Sequence, residues 1–516
     1  MESDKNSNYG KKNLKNKISL IIPPFSFSIK FESEVKNYGV SRLLYKLIKD
    51  TGLDKNEISA YDFSRLYEVK EDKEINNLCD TLEESEFYAF SVLDKNYPAA
   101  IKMAEHLKNK YPDSKIIVGG STAAELGEEI LEAFEHIDYV CFSMGEDTLD
   151  GLLSSKELSK IPNLIWREKN NKKEERIIRN EMVFPPSNWE NLYPADFKWN
   201  NLNDDAFDYR VIFSLGALGC GGKCNYCTIR EKEPVYTRRP LDSLVNEIKF
   251  QINTSKKHGV DKVEVHITDE YPTPRLNNLF RLLKEKDLIK DIDYFMFDCR
   301  ADMVSRSLKM IEKVVTDYPL VNFIHFTGFE NFSDNILIEL NKGISAKENL
   351  KALQLLEDIQ KEHENFFILP SFITLTPNTK KKDLKTQINV IKDHFLDYDM
   401  HYDRFLNILQ LGNRLGPKYG LNRKKGYLLE DNSGNQNLEG YLGFPKDKEM
   451  IDVLNKFAQA RDKIPLYEDR MKLKNLLSDN GLLYRNAEIL ILDRIVNDNK
   501  YEDIVKEVNE LHKAIS

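Results

Sequence analysis

Cys220-Gly-Gly-Lys-Cys224-Asn-Tyr-Cys227 is the stretch that decides how the rest of the chain is read. Three of the six cysteines fall in these eight residues, spaced C-x3-C-x2-C, directly after the apolar run Val211-Ile-Phe-Ser-Leu215. Thiolates on a glycine-rich loop suit a soft metal or an iron–sulfur cluster. A cubane held by three thiolates leaves one iron with an open position, which implies chemistry rather than scaffolding. A structural zinc site would want a fourth ligand nearby. The next His or Cys after Cys227 is His258, far for a compact knuckle. Other metal sites and buried free thiols stay open beside the cluster.

Outward from that loop, the 516 residues predict two or three domains. The net charge is −9, with both signs interspersed, so no basic field marks a nucleic acid as the main partner. The first residues are polar, and the run Ile18–Ile22 is too short to cross a membrane; neither a signal peptide nor a membrane span is expected. Few cysteines in a long chain argue for a reducing compartment, and the expectation is a cytoplasmic, oxygen-sensitive protein.

Residues 14–150 alternate short apolar strands with helical patterns. Ile18–Ile22, Phe87–Val92, Lys115–Val118 and Tyr139–Phe142 read as strands; Val40–Ile48, Tyr97–Lys110 and Ala124–Ala133 read as helices. This predicts a doubly wound, Rossmann-like α/β domain whose ligands lie outside the carboxyl ends of its strands. Two loops fall there: Gly119-Gly120-Ser121-Thr122 and Met144-Gly145-Glu146-Asp147-Thr148. Both can offer amides and hydroxyls to a large cofactor, and both have the composition of ordinary tight turns and helix starts.

Residues 151–205 read as a linker with a helix, the strand Asn163–Trp166 and a hairpin turn at Asn170–Glu175. Trp189, Tyr193 and Trp199 are expected to anchor it against the following barrel. From 206 to 420 the strands Val211–Leu215, Lys262–Ile267, Tyr294–Phe297, Val321–His325, Phe366–Leu369 and Phe405–Leu411 alternate with helices. That succession predicts a partial barrel of six βα units, with polar residues gathered at the carboxyl ends of its strands. Residues 421–516 read as a mostly helical C-terminal domain, a cap over the barrel mouth.

The cysteine spacing, with the aromatic Tyr226 just before the last cysteine, resembles the radical S-adenosylmethionine (SAM) enzymes. The Pro23-Pro24 loop, the Gly-Gly loop and the Gly-Glu-Asp-Thr-Leu segment look like the cobalamin (B12)-binding-type domain that precedes many radical SAM modules. The resemblance covers residues 18–420. It implies a 4Fe-4S cluster on Cys220, Cys224 and Cys227, with SAM chelated at the open iron and cleaved to a 5′-deoxyadenosyl radical.

For SAM, the resemblance implies contacts from Asp269 and Glu270 after the second barrel strand, where many relatives carry Gly-Gly-Glu and this chain carries Thr268-Asp269-Glu270. Arg300 is expected to pair with the SAM carboxylate and Glu330 to reach the ribose or adenine; Ser371 and Thr374 are further polar contacts. Gly119, Gly120, Ser121, Thr122, Gly145 and Glu146 are the implied cobalamin contacts. No Asp-x-His-x-x-Gly motif supplies a cobalt ligand. His325 is a candidate acid or base; His266, alternating with apolar neighbours, could support or touch the substrate.

The implied function is a cobalamin-dependent radical SAM methyltransferase acting on an unactivated carbon. The alternatives are radical cyclisation, rearrangement or C–C bond formation, with or without cobalamin, and a non-catalytic cluster or cobalamin-binding protein. The implied partners are a small-molecule, lipid or peptide substrate and a reductant such as ferredoxin or flavodoxin.

Overall fold

The structure, a computed structural model, describes residues 16–24, 38–64, 66, 72–94, 96–169, 175–202, 208–395, 422–423, 429–430, 445–461, 489, 492–497, 503 and 506. It divides into two compact units. The first contains the described residues up to Tyr209 together with Thr228–Thr237; the second contains Arg210–Cys227, Arg238–Arg423 and the described residues from Leu429 onward.

The first unit is built on a seven-stranded sheet. In chain order its elements are β1 (Asn16–Ile22), α1 (Tyr38–Asp50), β2 (Ile58–Asp62), α2 (Asp72–Asp80), β3 (Ser85–Ser91), α3 (Tyr97–Lys110), β4 (Lys115–Gly119), α4 (Ser121–Leu126), α5 (Glu128–Ala133), β5 (Tyr139–Cys141), α6 (Glu146–Leu153), β6 (Leu164–Lys169) and β7 (Glu175–Arg179). The strand order is β2-β1-β3-β4-β5-β6-β7, parallel through β5 and antiparallel in the β6–β7 hairpin. This is the doubly wound arrangement in which the order reverses between β1 and β3, the place beyond the strand ends where sheets of this kind bind ligands.

Strand β2 escaped the sequence reading. Its residues Ile58-Ser-Ala-Tyr-Asp62 are all buried, so they show neither the alternation of a half-exposed strand nor an unbroken apolar run. Its free edge is closed by the linker: Asn200 Oδ1 accepts from Ala60 N and Asn201 Oδ1 from Asp62 N, each at 2.9 Å. Covering an edge in this way removes a template for unwanted pairing. Trp199, expected to brace the linker against the barrel, is instead fully buried in the first unit's own core with Ile18, Leu44 and Ala60.

The second unit holds β8 (Val211–Leu215), β9 (Ala217–Leu218), β10 (Thr237–Arg238) and α8 (Leu241–Lys257), α7 (Ile229–Lys232) having fallen to the first unit. It continues with β11 (Val263–Thr268), α9 (Leu276–Glu285), β12 (Ile292–Arg300), α10 (Ala301–Asp317), β13 (Asn322–Glu330), α11 (Asp334–Glu339), α12 (Ala346–Glu362), β14 (Phe366–Phe372), α13 (Lys381–His394) and α14 (Lys448–Arg461). The described strands form a five-stranded parallel sheet in the order β14-β13-β12-β11-β8. The sixth expected strand, Phe405–Leu411, lies outside the described residues.

Alternation along the strands sets the two faces. Val263, Val265 and Ile267 of β11, and Phe295 and Phe297 of β12, join the core formed with the helices. Glu264 and His266, like Met296, Asp298 and Arg300, are half-buried on the opposite, inner face. Strands β12, β13 and β14 run further than the apolar runs suggest, because the ladder continues through Arg300↔Gly328 and Gly328↔Ser371. Thr327–Glu330, past the expected strand Val321–His325, is therefore strand as well. In the C-terminal stretch, Met450, Val453, Phe457, Ile489, Leu492, Ile495 and Val496 belong to the same core. Lys392 of α13 pairs with Asp493 at 2.6 Å, so these residues extend the outer helical layer. The helical patterns expected at 468–480 and 500–513 lie almost wholly outside the described residues, as does the part of 484–495 before Ile489.

Candidate active site

The cysteine loop leaves the carboxyl end of β8 just past Gly216, whose N–H still bonds to Thr268 O of β11 at 3.0 Å. None of the six cysteines is in a disulfide; Cys224 is buried and Cys220 and Cys227 are half-buried. The donors that aim at the sulfurs include Gly222 N–H, 3.2 Å from Cys220 Sγ, and Arg300 Nη1, 3.4 Å from Cys224 Sγ. The Gly222 N–H favours the anionic form of Cys220, the form that ligates metal, but burial outweighs it and raises that thiol's pKa. Glycine at 222 leaves room for the guanidinium, since a Cβ would stand 2.9 Å from Arg300 Nη1 and 3.3 Å from Cys220 Sγ. Among the described residues, no three His, Cys, Asp or Glu side chains are drawn together as a ready ligand set. What fits a cluster is the chemistry of the loop: three thiols outside any disulfide, with donors turned toward Cys220 and Cys224.

A clamp holds this loop from below. Asn225 N bonds to Leu340 O and Asn225 Nδ2 to Glu339 O, both at 2.9 Å, while Asn341 Nδ2 donates to Lys223 O at 2.7 Å. Tyr226 donates to Glu330 Oε1 at 2.8 Å, and Lys342 Nζ donates to the same oxygen at 2.7 Å. Glu330 and Lys342 are both buried, so the pair is a desolvated ion pair with the tyrosine as a third member. Burial and then the Glu330 carboxylate push the Tyr226 hydroxyl above its ordinary pKa, keeping it a donor. In sequence, Leu340-Asn-Lys-Gly343 reads as a helix stop. It does end α11, with Asn341 at φ +51, and its second role is invisible without the fold.

The expected SAM contacts divide into several groups. Glu270 lies beside the cysteine loop, with Oε2 3.8 Å from Cys220 Sγ. Burial, then the charge of Asp298, raises its pKa. Asp269 is turned inward: Oδ1 accepts from Tyr271 N at 2.8 Å, and Oδ2 lies 4.0 Å from Arg275 Nη1. Arg300 faces the loop, with Nε on Asp302 at 2.9 Å and Nη2 on Lys342 O at 2.7 Å. Its fork is thus engaged with the cysteine loop and its clamp. Glu330 is taken by Tyr226 and Lys342. Ser371 is half-buried level with Gly328, and Thr374 is buried.

His325 is not at the site. It is fully buried, 5.0 Å from the Phe297 ring and 6.1 Å from Phe366, with Nδ1 2.6 Å from Thr327 Oγ1. Burial lowers its pKa to about 3, so it is a neutral packing residue rather than an acid or base. Its parity along β13 turns it toward the helices. His266, one of the sequence's lesser candidates, is on the inner face, with Nε2 2.9 Å from Asp298 Oδ1.

In the first unit, Gly120 has φ +112, and a Cβ there would lie 2.3 Å from Val92 O. Glycine at this position lets the loops after β3 and β4 touch. Thr122 Oγ1 donates to Asp94 Oδ1 at 2.6 Å, and Glu146 faces Arg42 at 3.4 Å. Gly145 packs under Leu43, and Gly119 O accepts from Val92 N at 2.7 Å. Ser121, half-buried, begins α4. Of the six expected cobalamin contacts, Thr122 and Glu146 are therefore engaged within the unit. His106 faces Asp80 at 3.5 Å, and burial lowers the pKa of His136.

A cysteine loop at the carboxyl end of a parallel half-barrel, in a chain that also carries a doubly wound unit, is the fold seen in radical SAM enzymes that have a cobalamin-binding domain. The cobalamin-dependent S-adenosylmethionine radical enzyme OxsB, solved with aqua-cobalamin and S-adenosylmethionine bound, superposes with a TM-score of 0.63 at 16% identity. The match covers 97% of this chain and 76% of OxsB. The apo form of OxsB gives a TM-score of 0.65. At this identity the likeness is one of fold. Among curated proteins, the tRNA-2-methylthio-N(6)-dimethylallyladenosine synthase of Aliivibrio fischeri (strain MJ11) is 24% identical over 380 residues, 69% of each chain. The synthase of that name from Petrotoga mobilis (strain DSM 10674 / SJ95) is 23% identical over 348 residues, 63% of this chain and 68% of its own length. No protein-family model matches the sequence.

Proposed function

We propose that this chain is a cobalamin-associated radical SAM enzyme whose Cys220, Cys224 and Cys227 hold a 4Fe-4S cluster. The observation that carries this reading is convergence: the cysteine loop, Glu270 and Arg300 meet at one end of the parallel sheet, the end where barrel enzymes keep their chemistry. When bound, the cluster and SAM supply a 5′-deoxyadenosyl radical, and cobalamin supplies a second reactive centre.

The chain's own residues have defined parts in this reading. Arg300 and the Gly222 N–H stabilise the ligating sulfurs as anions. Glu270 accepts from the ammonium of SAM, an interaction that strengthens in a water-poor site. Ser371 offers a hydroxyl to the nucleoside. Glu330, with Tyr226 and Lys342, fixes the loop rather than the ribose. The carboxyl ends of β1 and β3 and the Gly119–Ser121 stretch hold the cobalamin. The reaction is rearrangement, cyclisation or C–C bond formation on a small organic substrate, with electrons from a reductant such as ferredoxin or flavodoxin. The net charge of −9 disfavours a polyanionic nucleic acid as the main partner, although the curated relatives carry a tRNA adenosine in their name.

The test is anaerobic. Reconstituted protein with hydroxocobalamin, SAM and dithionite is assayed for bound cobalt, 5′-deoxyadenosine and S-adenosylhomocysteine. The expected result is near-stoichiometric cobalt and 5′-deoxyadenosine without S-adenosylhomocysteine. Equal amounts of both products would replace this reaction by methyl transfer to a carbon. Absence of SAM cleavage would sink the enzymatic reading.

A further inference from the structure

The inner face of the five-stranded sheet is lined mainly by apolar groups. Phe213 of β8 is level with His266 of β11, which is level with Met296 of β12. Met296 is level with Ile324 of β13, and Ile324 with Phe367 of β14. One step toward the carboxyl ends, Asp298 is level with Phe326, and Phe326 with Leu369. Set into this lining is one ring-to-carboxylate pair, His266 Nε2 to Asp298 Oδ1 at 2.9 Å, with the Phe213 ring 4.9 Å from the imidazole.

The two side chains are 18% and 25% exposed, so the pair opens onto the chamber instead of being sealed in the core. Its neighbours are acidic or apolar: Glu264 lies two residues before His266 on the same face, and Glu270 feels the charge of Asp298. Asp298 stands two residues before Arg300, about 7 Å along the strand, and Arg300 touches Cys224. The pair is thus one layer beneath the cysteine loop.

We propose that His266, oriented by Asp298, anchors the substrate through a hydrogen bond to Nδ1. Asp298 accepts from Nε2–H, so in this assignment the neutral imidazole offers Nδ1 to the substrate as an acceptor. Such an acceptor selects a hydrogen-bond donor, and the carboxylates nearby disfavour an anion. The rings around it select an apolar or aromatic body. The substrate class is therefore a hydrocarbon or aromatic compound bearing a hydroxyl or N–H group. This rests on the reading of the inner face as the chamber of a radical SAM enzyme.

The probes are 4-fluorophenol and 4-fluorotoluene, which differ by the donor alone, titrated against the full-length reconstituted protein by fluorine NMR. The phenol is expected to bind about tenfold more tightly, the gain of one hydrogen bond to a carboxylate-supported imidazole. His266→Phe keeps a ring of similar size; it should erase that preference and leave fluorotoluene binding unchanged. Asp298→Asn should reduce the preference. Far-ultraviolet circular dichroism of both variants, matched to the parent's, is the control for folding. Equal binding of the two probes to the parent, no binding of either, or an intact preference in His266→Phe would overturn the assignment. Loss of both probes in a folded variant would do the same, since the pair would then shape the chamber rather than read its ligand. A parent that prefers the phenol but never cleaves SAM would sink the enzymatic reading and leave the anchor standing.

Discussion

His266 and His325 lie on strands separated only by β12, and both alternate with apolar neighbours, yet one faces the chamber and the other the helices. On β11 the faces are legible, because Val263, Val265 and Ile267 oppose Glu264, His266 and Thr268. On β13 both rows are apolar, Phe323 and Phe329 on one side, Ile324 and Phe326 on the other, so parity carries no direction. His325 has consequences for stability instead. Its ring is neutral in the fold, with a pKa near 3, and its Nε2 is buried without a hydrogen-bond partner. Unfolding restores a value near 6.5, so the chain takes up a proton on unfolding once the pH falls below that. Stability from this group is complete above about pH 6.5 and falls by about 1.4 kcal/mol per pH unit toward pH 3. His325→Met should remove that part of the slope. Urea unfolding at pH 7.5, 6.5 and 5.5 measures it, and parallel curves for parent and variant would refute the role.

Among elements, the cysteine loop was legible as a motif but its support was not. The three thiols stand within eight residues of sequence, whereas the residues that grip them, Leu340–Lys342, lie more than a hundred residues away and look like a helix end. Nothing in the local sequence pairs Lys342 with Glu330 twelve residues before it; the fold brings them together under the cysteine loop. The edge strand β2 was missed for a related reason, since its partners Asn200 and Asn201 come from the distant linker. The clamp makes a prediction of its own. Lys342→Met leaves the Glu330 carboxylate buried without its cation, a loss of about 3–5 kcal/mol when a buried pair is broken on one side. Because Glu330 also accepts from Tyr226, that loss falls on the cysteine loop. The variant should lose most of its iron on desalting after reconstitution, while Lys342→Met combined with Glu330→Gln should recover a large share. Iron retention equal to the parent in the single variant would remove the clamp from the argument.

For the whole molecule, each unit has its own core. Ile18, Leu44, Ala60, Ile117, Leu164 and Trp199 belong to one; Val265, Phe295, Phe323, Leu353 and Phe366 belong to the other. Strand–helix alternation was enough to foresee the two parallel sheets in outline, β2 excepted, because most of their strands carry a short apolar run and their crossovers are helices. Separate cores mean that a lesion confined to one site need not unfold the other unit. The donors that face the cysteines, Gly222 N–H and Arg300, belong to the second unit, as does every residue of the clamp. Replacing Cys220, Cys224 and Cys227 together by serine should therefore abolish iron binding and SAM cleavage while leaving the first unit's sheet and its affinity for hydroxocobalamin within about twofold. Iron and cobalt content of the anaerobically reconstituted variant, with far-ultraviolet circular dichroism as the control for folding, measure this. If cobalt binding falls with iron in a protein whose circular dichroism is unchanged, cobalamin depends on the cluster loop. The carboxyl ends of β1 and β3, with the Gly119–Ser121 stretch beside them, would then be insufficient as its site.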